Sequence, residues 1–392
     1  MSRSAAGSQS ALREANTAKI VDAVKRFGGL TQVELAEATA LSAATISAIV
    51  KELSLTGLVE TRPTSRSGRR AQLVTMARRS GLVIAAHVTA RAIRVRIADT
   101  AQEILEERRL PLPPDHPMDT VLDRTAVLIF EMLQMIGSEP DELLGVCLTI
   151  PAPIDPATGM ITFSGLMPGW EDAPIAPILS QRLGCPVIVE NDANMAALAE
   201  ATLGAARGVA DSITVLASDG TGAGIVIDSR LHRGADGTAG EIGHIQIDPQ
   251  GQICRCGLRG CLDTVVGANA LLAPLRSHYG NLTFRDVVSQ AAAGDQGCRR
   301  VVADAGSTIG RVVAGLAQGI GTGLIVVGGE LAQAGDAFFD AFSTAVREHV
   351  NTGRHREMVI MQSTLPPDSV LAGALVEIIQ TTDVLQRFEE RT

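Results

Sequence analysis

Three common features are missing from this 392-residue sequence. No apolar run reaches the roughly 18 residues of a membrane-spanning helix, so we expect no membrane partner. The first ten residues, MSRSAAGSQS, lack the apolar core of a secretory signal. The chain also lacks positive net charge, because its formal charge is −9, which taken alone argues against a nucleic-acid partner. The absence of a signal, together with clustered thiols suited to metal, predicts a reducing, cytoplasmic compartment.

The charge is unevenly distributed along the chain. Residues 1–80 contain 12 Lys and Arg but only 6 Asp and Glu, a net charge of +6, whereas the remaining residues carry −15. A basic head on an acidic body is the asymmetry expected of a DNA-binding domain fused to something else.

Half of the six cysteines fall within eight residues of one another, beside a histidine. These four residues form a soft nitrogen and sulfur ligand set of the kind that Zn²⁺ takes in a closed tetrahedral site. The set is His244, Cys254, Cys256 and Cys261. Glycines in the same stretch permit the sharp folding that brings all four to one ion. The spacing differs from that of a DNA-reading zinc finger, so we predict a structural zinc. The alternative is three unrelated buried cysteines.

The stretch from Gly240 to Asp263 resembles the signature of the ROK family, in the motifs GEIGH and CxCGxxGCLD. That family contains sugar-responsive repressors and sugar kinases on an actin-like, hexokinase-type fold. The resemblance implies that the histidine and three cysteines bind structural zinc. It also implies that Glu241 and His244 contact the sugar. A further family Glu at the sugar corresponds to Asp263 here, which is one methylene shorter, so sugar choice or affinity is expected to differ.

The head has the pattern of a helix-turn-helix. A helix ends at Gly28-Gly29, a second begins at Thr31 with Glu34 completing a capping box, and a third follows Ser42. The N-terminal part of the last helix enters the major groove in such motifs. The candidate DNA contacts there are Ser42, Ala43, Ala44, Thr45 and Ser47. The alternative is an ordinary three-helix packing unit.

A basic hairpin follows the three helices, and its turn is placed within residues 61–70. Its arginines are suited to phosphates or to a narrow minor groove, although a basic loop is often only a solvated face. The four arginines are Arg62, Arg66, Arg69 and Arg70. The segment resembles the winged domain of ROK repressors, which ROK kinases lack.

A strand over residues 187–190 leads through Asn191 and Asp192 into a helix. Ligands bind at this end of strands in α/β folds. By the resemblance, Asn191 contacts the sugar, and Asp192 is the general base of the family's kinases. Repressors keep the same pair for sugar binding alone, so the pair does not distinguish the two functions. A purely structural helix cap is the alternative.

Both expected phosphate loops depart from the kinase pattern. His87 stands where the kinases have an Asp, and no Gly follows within residues 87–91. Ser218-Asp219 replaces the usual Gly-Thr of the second loop, and an added carboxylate there would repel phosphates. On the sugar side, Leu166 replaces an Asn, and Trp170 either stacks on a sugar or fills the core.

We therefore predict an α/β two-lobed actin-like (hexokinase-type) fold preceded by an α+β winged helix-turn-helix domain. The predicted boundaries are residues 1–80 for the head, 81–203 for the first lobe and 204–370 for the second lobe, which contains a zinc loop at 244–261. A C-terminal helix at 371–388 is expected to pack back on the first lobe.

The predicted function is a transcriptional regulator, most simply a repressor, of carbohydrate-related genes. A sugar or sugar derivative bound between the lobes would modulate binding to double-stranded operator DNA. A homodimer or homotetramer is expected, since one winged head carries few base contacts. The first alternative is an ATP-dependent sugar kinase with Asp192 as base, which the two altered phosphate loops disfavour. The second is a regulator whose sugar pocket has decayed.

Overall fold

The computed structural model describes residues 4–66, 69–77, 81–113, 117–351, 357–367 and 369–382, with side chains from residue 11 onward except at 65–70. The described residues form three β-sheets and the helices that cover them. The first sheet has three strands, and each of the other two has five.

The head consists of three helices and a small sheet of strand order β1-β3-β2. Its elements are α1 (Ser4–Phe27), β1 (Leu30–Thr31), α2 (Gln32–Thr39), α3 (Ala43–Thr56), β2 (Val59–Arg66) and β3 (Arg69–Met76). Helices α2 and α3 meet at 115°, within the range of helix-turn-helix motifs. The head therefore has the predicted winged helix-turn-helix arrangement.

Local sequence sets where the head helices begin. Thr31 caps α2, with both hydrogen bonds of a capping box to Glu34 present, and Ser42 caps α3 by accepting from the Thr45 amide. Both caps confirm the sequence prediction. On the second helix, the apolar side chain of Val33 is 68% exposed. On this eight-residue helix, Leu35 alone is buried, so the stripe that contacts the core is narrow.

The wing has longer strands than the sequence indicated. Strands β2 and β3 pair antiparallel from Val59 opposite Met76 to Arg66 opposite Arg69. Residues 61–66 and 69–70 are therefore strand and not hairpin tip. A ladder that starts from the buried Val59 and Met76 continues outward through backbone hydrogen bonds, which do not require apolar side chains.

The first lobe has a mixed sheet of order β6-β5-β4-β7-β8. Strands β4, β5 and β6 are antiparallel, whereas β7 and β8 run parallel to β4. Its strands are β4 (Leu82–Val88), β5 (Ala92–Asp99), β6 (Ile104–Pro111), β7 (Leu143–Ile150) and β8 (Val187–Asn191). Its helices are α4 (Met118–Ile136), α5 (Ile175–Leu183) and α6 (Asp192–Thr202).

The second lobe repeats this topology, with sheet order β11-β10-β9-β12-β13. The strands are β9 (Ser212–Ala217), β10 (Thr221–Ile227), β11 (Arg230–Leu231), β12 (Leu324–Gly328) and β13 (Val359–Gln362). The helices are α7 (Asp263–Val266), α8 (Ala268–Leu272), α9 (Arg276–Tyr279), α10 (Phe284–Ala292), α11 (Gln296–Ile320) and α12 (Asp336–His349). Two lobes of matching topology constitute the predicted actin-like fold.

The last described helix, α13 (Ser369–Thr381), returns to the first lobe and packs on α6, β4 and β7. Residues 383–388 of the predicted C-terminal helix lie outside the described residues. Helix α1 of the head also contacts α13. A single cluster of buried apolar side chains extends from the head helices through α13 to α6, so the head and the first lobe share a core.

Polar contacts reinforce the junction between the head and the lobe. Lys25 of α1 is only 5% exposed, and its ammonium group donates to the Thr382 carbonyl at 2.7 Å. The Gln102 side-chain amide donates to the Lys25 carbonyl at 3.1 Å. These bonds fix the end of α1 against both α13 and the β5–β6 turn.

Among the described residues, no single helix combines the length and apolar character of a membrane span. Helices α2 and α3 have the length and the apolar composition of a membrane span only when the two helices are counted together across the bend between them.

The close approach of α13 to α6 predicts an effect on stability. A Cβ atom at Gly373 would lie 1.8 Å from the Met195 carbonyl oxygen, so Gly373→Ala should lower the free energy of unfolding by about 1–3 kcal/mol. Gly315 of α11 has open space around it, and Gly315→Ala is the control, expected to raise stability by about 0.5–1 kcal/mol. Chemical denaturation measures both, and equal effects at the two sites would contradict the close packing.

Candidate functional site

The four predicted metal ligands come together in the structure. The donor atoms of His244, Cys254, Cys256 and Cys261 all lie within 4.8 Å of one another. The Cys254 Sγ lies 3.5 Å from His244 Nδ1, and the Cys256 Sγ lies 3.7 Å from the Cys261 Sγ. Sulfur ligands about 2.3 Å from a tetrahedral ion are about 3.7 Å apart. The donor set and its spacing therefore fit a tetrahedral metal ion.

Buried thiols at this spacing resist ionisation on their own. Burial and the neighbouring Cys256 and Cys254 thiols raise the pKa of Cys261 to about 12. A metal ion reverses this preference, because thiolate is the form that binds it. Burial, and to a lesser extent the Arg255 charge, lowers the pKa of His244, which favours the neutral imidazole that a metal takes.

Backbone geometry folds the loop around these ligands. Gly260 has φ +66°, and a Cβ there would lie 1.5 Å from the Asp248 carbonyl oxygen. This close approach lets residues 253–261 fold back, with bridges pairing Ile253 with Arg259 and Gln246 with Cys261. The loop also meets the opposite lobe, since a Cβ at Gly165 would lie 2.5 Å from the Arg255 carbonyl oxygen.

A carboxylate cluster lies beside the metal-ligand loop. Asp192 is the first residue of α6, Glu241 precedes the 3-10 turn Ile242–His244, and Asp263 begins α7. Burial, and then the Asp192 and Asp263 charges, raises the pKa of Glu241 to about 8. Burial also raises the pKa of Asp263. The cluster therefore holds a proton on Glu241 near neutral pH and presents both donors and acceptors to a ligand rich in hydroxyl groups.

Asn191 has one of the two roles that the sequence left open, that of a helix cap. Its Oδ1 accepts from the Asn194 amide at 3.0 Å, which caps α6. Its Nδ2 donates to Glu241 Oε1 and to the Ala152 carbonyl, both at 3.2 Å. The same side chain thus caps the helix and orients the Glu241 carboxyl group.

The Asp263 carboxylate is braced by backbone. Its Oδ1 accepts from the Thr221 amide at 2.9 Å, and a Cβ at Gly243 would lie 2.8 Å from the same oxygen. This bond connects α7 to the start of β10, which follows the second predicted phosphate loop.

The two predicted phosphate loops contact each other. Arg91 in the β4–β5 turn and Asp219 in the β9–β10 turn form an ion pair at 2.6 Å, 128 residues apart in the chain. Burial raises the pKa of Asp219, and the Arg91 charge opposes that shift. Because Arg91 offsets the negative charge of Asp219, the repulsion of phosphate that the sequence suggested is weakened. The ion pair itself lies between the turns.

Two contributors to the cleft were missed from the sequence. Arg255, between two of the cysteines, lies 3.8 Å from Asp263, and its charge also acts on Asp219 and Glu241. His87 Nε2 lies 3.7 Å from Asp192 Oδ2. The only signal for Arg255 was its place between two metal ligands, which orients its backbone.

The predicted sugar-side loop is largely packed into the first lobe. Trp170 is 2% exposed and Leu166 is 5% exposed, both in the core of that lobe. Of the two roles that the sequence allowed Trp170, the structure supports the core role. Glu171 accepts from the amides of Gly165, Gly169 and Trp170 and so holds the loop closed.

The candidate DNA contacts on α3 lie at its exposed start. Ser42, Ala43, Ala44 and Ser47 are exposed, and Thr45 is half-buried. The Ser42 and Thr45 hydroxyl groups hydrogen-bond to each other at 2.8 Å. On the wing, Arg62 is exposed and lies 4.0 Å from Glu60. The side chains of the other three predicted wing arginines lie outside the part of the chain that the structure describes. These are Arg66, Arg69 and Arg70.

The fold and these features define a class: a two-lobed actin-like body with a Cys/His cluster that fits a metal ion at its cleft, joined to a winged helix-turn-helix head. The chain belongs to the ROK family, whose model matches residues 83–380. Residues 15–70 match the MarR family.

Individual relatives agree with this assignment. The chain is 26% identical over 381 residues to the DNA-binding transcriptional repressor Mlc of Escherichia coli K12, covering 93% of this chain and 92% of that protein. The fold matches a crystal structure of a ROK family transcriptional regulator, a homologue of the E. coli MLC protein, with TM-score 0.74, 23% identity and coverage of 95% and 100%. It also matches a ROK glucokinase from Streptomyces griseus in complex with glucose and AMPPNP, with TM-score 0.67, 25% identity and coverage of 75% and 98%.

The raised pKa of Glu241 predicts a pH dependence. Its carboxyl group ionises near pH 4.5 when unfolded and near pH 8 when folded, so the stability it confers is complete below about pH 4.5 and is lost as pH rises to 8. At about 1.4 kcal/mol per pKa unit, the loss amounts to at most about 5 kcal/mol. Glu241→Gln should flatten this dependence. Chemical denaturation at pH 5 and pH 8 measures it, and parallel curves for the two proteins would contradict the shift.

Proposed function

We propose that the protein is a DNA-binding transcriptional regulator of carbohydrate-related genes, acting as a repressor in the cytoplasm. In this proposal the head binds operator DNA and the body binds a sugar or sugar derivative between its lobes. This proposal rests on the core of buried apolar side chains that α1, α13 and α6 share. The first residue of α6 belongs to the carboxylate cluster, so the candidate sugar site and the DNA-binding head are joined by packed helices.

The domain boundaries of this proposal are those of the sequence analysis. The head comprises residues 1–80, the first lobe 81–203 with the C-terminal helix 371–388, and the second lobe 204–370. The three separate sheets support this division.

For DNA binding, we propose that the start of α3 enters the major groove and that the wing arginines contact the backbone or the minor groove. The exposed small side chains at the start of α3 suit close approach and apolar contact with thymine methyl groups. The net charge of +6 on residues 1–80 supports attraction to phosphates. A homodimer or homotetramer would place two heads on a palindromic site.

For the sugar, we propose a site formed by Asn191, Asp192, Glu241, His244 and Asp263. Carboxylates accept hydrogen bonds from sugar hydroxyl groups, and a protonated Glu241 also donates one. Because these residues come from both lobes, a bound sugar would favour one relative position of the lobes over another. A ligand shifts such an equilibrium by its difference in affinity for the two states.

We propose that zinc is the metal of the Cys/His cluster and that its role is structural. The four ligands close a tetrahedral site with no position left for a substrate. The ion would fix the loop that carries His244 and so hold Glu241 and Arg255 in place at the cleft.

The rival function is a sugar kinase with Asp192 as general base, and similarity to the S. griseus glucokinase keeps it open. The Arg91–Asp219 pair lies between the two turns where kinases of this fold hold phosphates, and the first turn lacks glycine. We propose that the protein is not an enzyme. Sugar-dependent release of ADP by the wild type, lost in Asp192→Asn, would reverse this conclusion.

The regulator proposal predicts separable effects of two substitutions. DNA selected from a random duplex library should bind the wild type, and Arg62→Ala should weaken that binding several-fold at every sugar concentration. A sugar from a panel of D-glucose, N-acetyl-D-glucosamine and D-xylose should change operator affinity about 5- to 150-fold. Asp192→Asn should abolish this response and leave sugar-free DNA binding intact. Fluorescence anisotropy at fixed salt measures both.

Two outcomes would contradict this proposal. Failure to select any DNA would refute the DNA-binding function. Operator binding that no sugar alters, with no sugar raising the melting temperature, would support the decayed pocket instead. Glu241→Ala gives an independent check, since it should abolish a response that depends on the carboxylate cluster.

The zinc proposal predicts about one ion per chain, measured by inductively coupled plasma mass spectrometry. Cys256→Ser should lose the ion and lower the melting temperature, since metal binding stabilises the folded state. Cys298→Ser is the control, because Cys298 is buried elsewhere, and it should keep the ion. Equal metal content in both variants would exclude the proposed ligand set.

A further inference from the structure

His87 faces the site, but its contact with Asp192 has been given no role so far. It is the penultimate residue of β4, at the end of the strand that leads to the β4–β5 turn. Its side chain is 12% exposed, that of Asp192 is 18% exposed, and His87 Nε2 lies 3.7 Å from Asp192 Oδ2. The ring therefore lies beside the carboxylate that marks the candidate sugar site.

The hydrogen-bonding capacity of this pair is incomplete. His87 Nε2 is shielded from solvent and has no hydrogen-bond partner among the described residues. Buried polar atoms are generally paired, and one left without a partner requires an explanation. Asp192 Oδ1 accepts from the Ala193 amide at 2.8 Å, so the carboxylate has a fixed orientation with Oδ2 towards the ring.

At 3.7 Å, His87 Nε2 and Asp192 Oδ2 are too far apart for a good hydrogen bond to each other. Nε2 is shielded from solvent, so a small rotation of the ring has to expose it before one oxygen atom can lie about 2.8 Å from both atoms at the same time. A hydroxyl group suits this position because it donates to one atom and accepts from the other. It would donate to the Asp192 carboxylate and accept from the N–H group of the ring when the hydrogen is on Nε2.

We propose that His87 and Asp192 together bind one hydroxyl group of the sugar effector, which makes His87 a specificity-determining residue. This inference rests on the sugar-binding function proposed above. It implies that the effector carries a free hydroxyl group at this position. A phosphate ester there would place negative charge against Asp192, and a deoxy sugar would leave both side-chain atoms without a partner.

The test pairs His87 variants with ligand analogues in isothermal titration calorimetry of the zinc-loaded, full-length protein. The probe is whichever of D-glucose, N-acetyl-D-glucosamine or D-xylose raises the melting temperature most, together with each of its monodeoxy analogues. His87→Ala should weaken binding of the parent sugar about 10- to 100-fold. His87→Gln should recover part of this loss through its amide donor. His278→Gln, at an exposed site, is the control and should bind as the wild type does.

The monodeoxy series distinguishes a direct contact from a structural role. One analogue should bind the wild type about 10- to 100-fold more weakly than the parent sugar. The affinity of that analogue should be no lower for His87→Ala than for the wild type. Unchanged affinity in His87→Ala would overturn the proposal. So would equal losses from His87→Ala for the parent sugar and every analogue, since that pattern indicates altered structure alone. If His87→Ala fails to fold, the same comparison is made with His87→Gln, for which the contact predicts a smaller loss that disappears with the same analogue.

The outcome for the wild type separates this inference from the function on which it rests. If substitution of His87 changes neither sugar binding nor the operator response, the inference is refuted but the proposed regulatory function is not. Binding of none of the three sugars by the wild type would refute the sensing function and this inference with it.

Discussion

The close packing of α13 against α6 is the contact on which the rest of the structure depends. It requires Gly373, because any side chain there would overlap the Met195 carbonyl group. Helix α13 is thereby held between the head and the first lobe, and Lys25 ties the end of α1 to it. A displacement of α6 cannot be absorbed within a close-packed core without moving its neighbours. The position of the head is therefore sensitive to events at the first turn of α6.

The first turn of α6 lies where carboxyl groups are costly to ionise. Three carboxyl groups share a cleft that is largely shielded from water, and the raised pKa of Glu241 expresses the cost. Charges in such a position persist only when other groups hold them there. The Asn191 amide, the Thr221 amide and the Arg255 guanidinium group provide this support. Arg255 is positioned by the metal-ligand loop, so the loop and the carboxylate cluster form one unit.

Local features were predictable from the sequence, and contacts between distant segments were not. The caps at Thr31 and Ser42 and the Cys/His cluster depend on residues close together in the chain, where spacing restricts geometry. The pairing of Arg91 with Asp219 spans 128 residues, and no periodicity or motif encodes it. The same holds for His87, which the sequence marked only as a departure from a kinase pattern. In the fold, His87 lies against Asp192, and the sequence did not predict this contact.

The ion pairs between the lobes differ in strength, and the difference bears on how the lobes can move. Arg91 and Asp219 are 45% and 38% exposed, and such a pair contributes about 0.2–1 kcal/mol. Arg233 of the second lobe binds Glu190 and Glu377 of the first, and all three side chains are at most 25% exposed. This network is half-buried and holds Arg233 between two carboxylates, so it is screened less by solvent than the exposed pair. Opening at the Arg91 end therefore breaks a weaker contact than separation at the Arg233 end would break. A ligand shifts such an equilibrium only by the difference in its affinity for the two lobe positions, and a tenfold difference, about 1.4 kcal/mol, already outweighs the exposed pair.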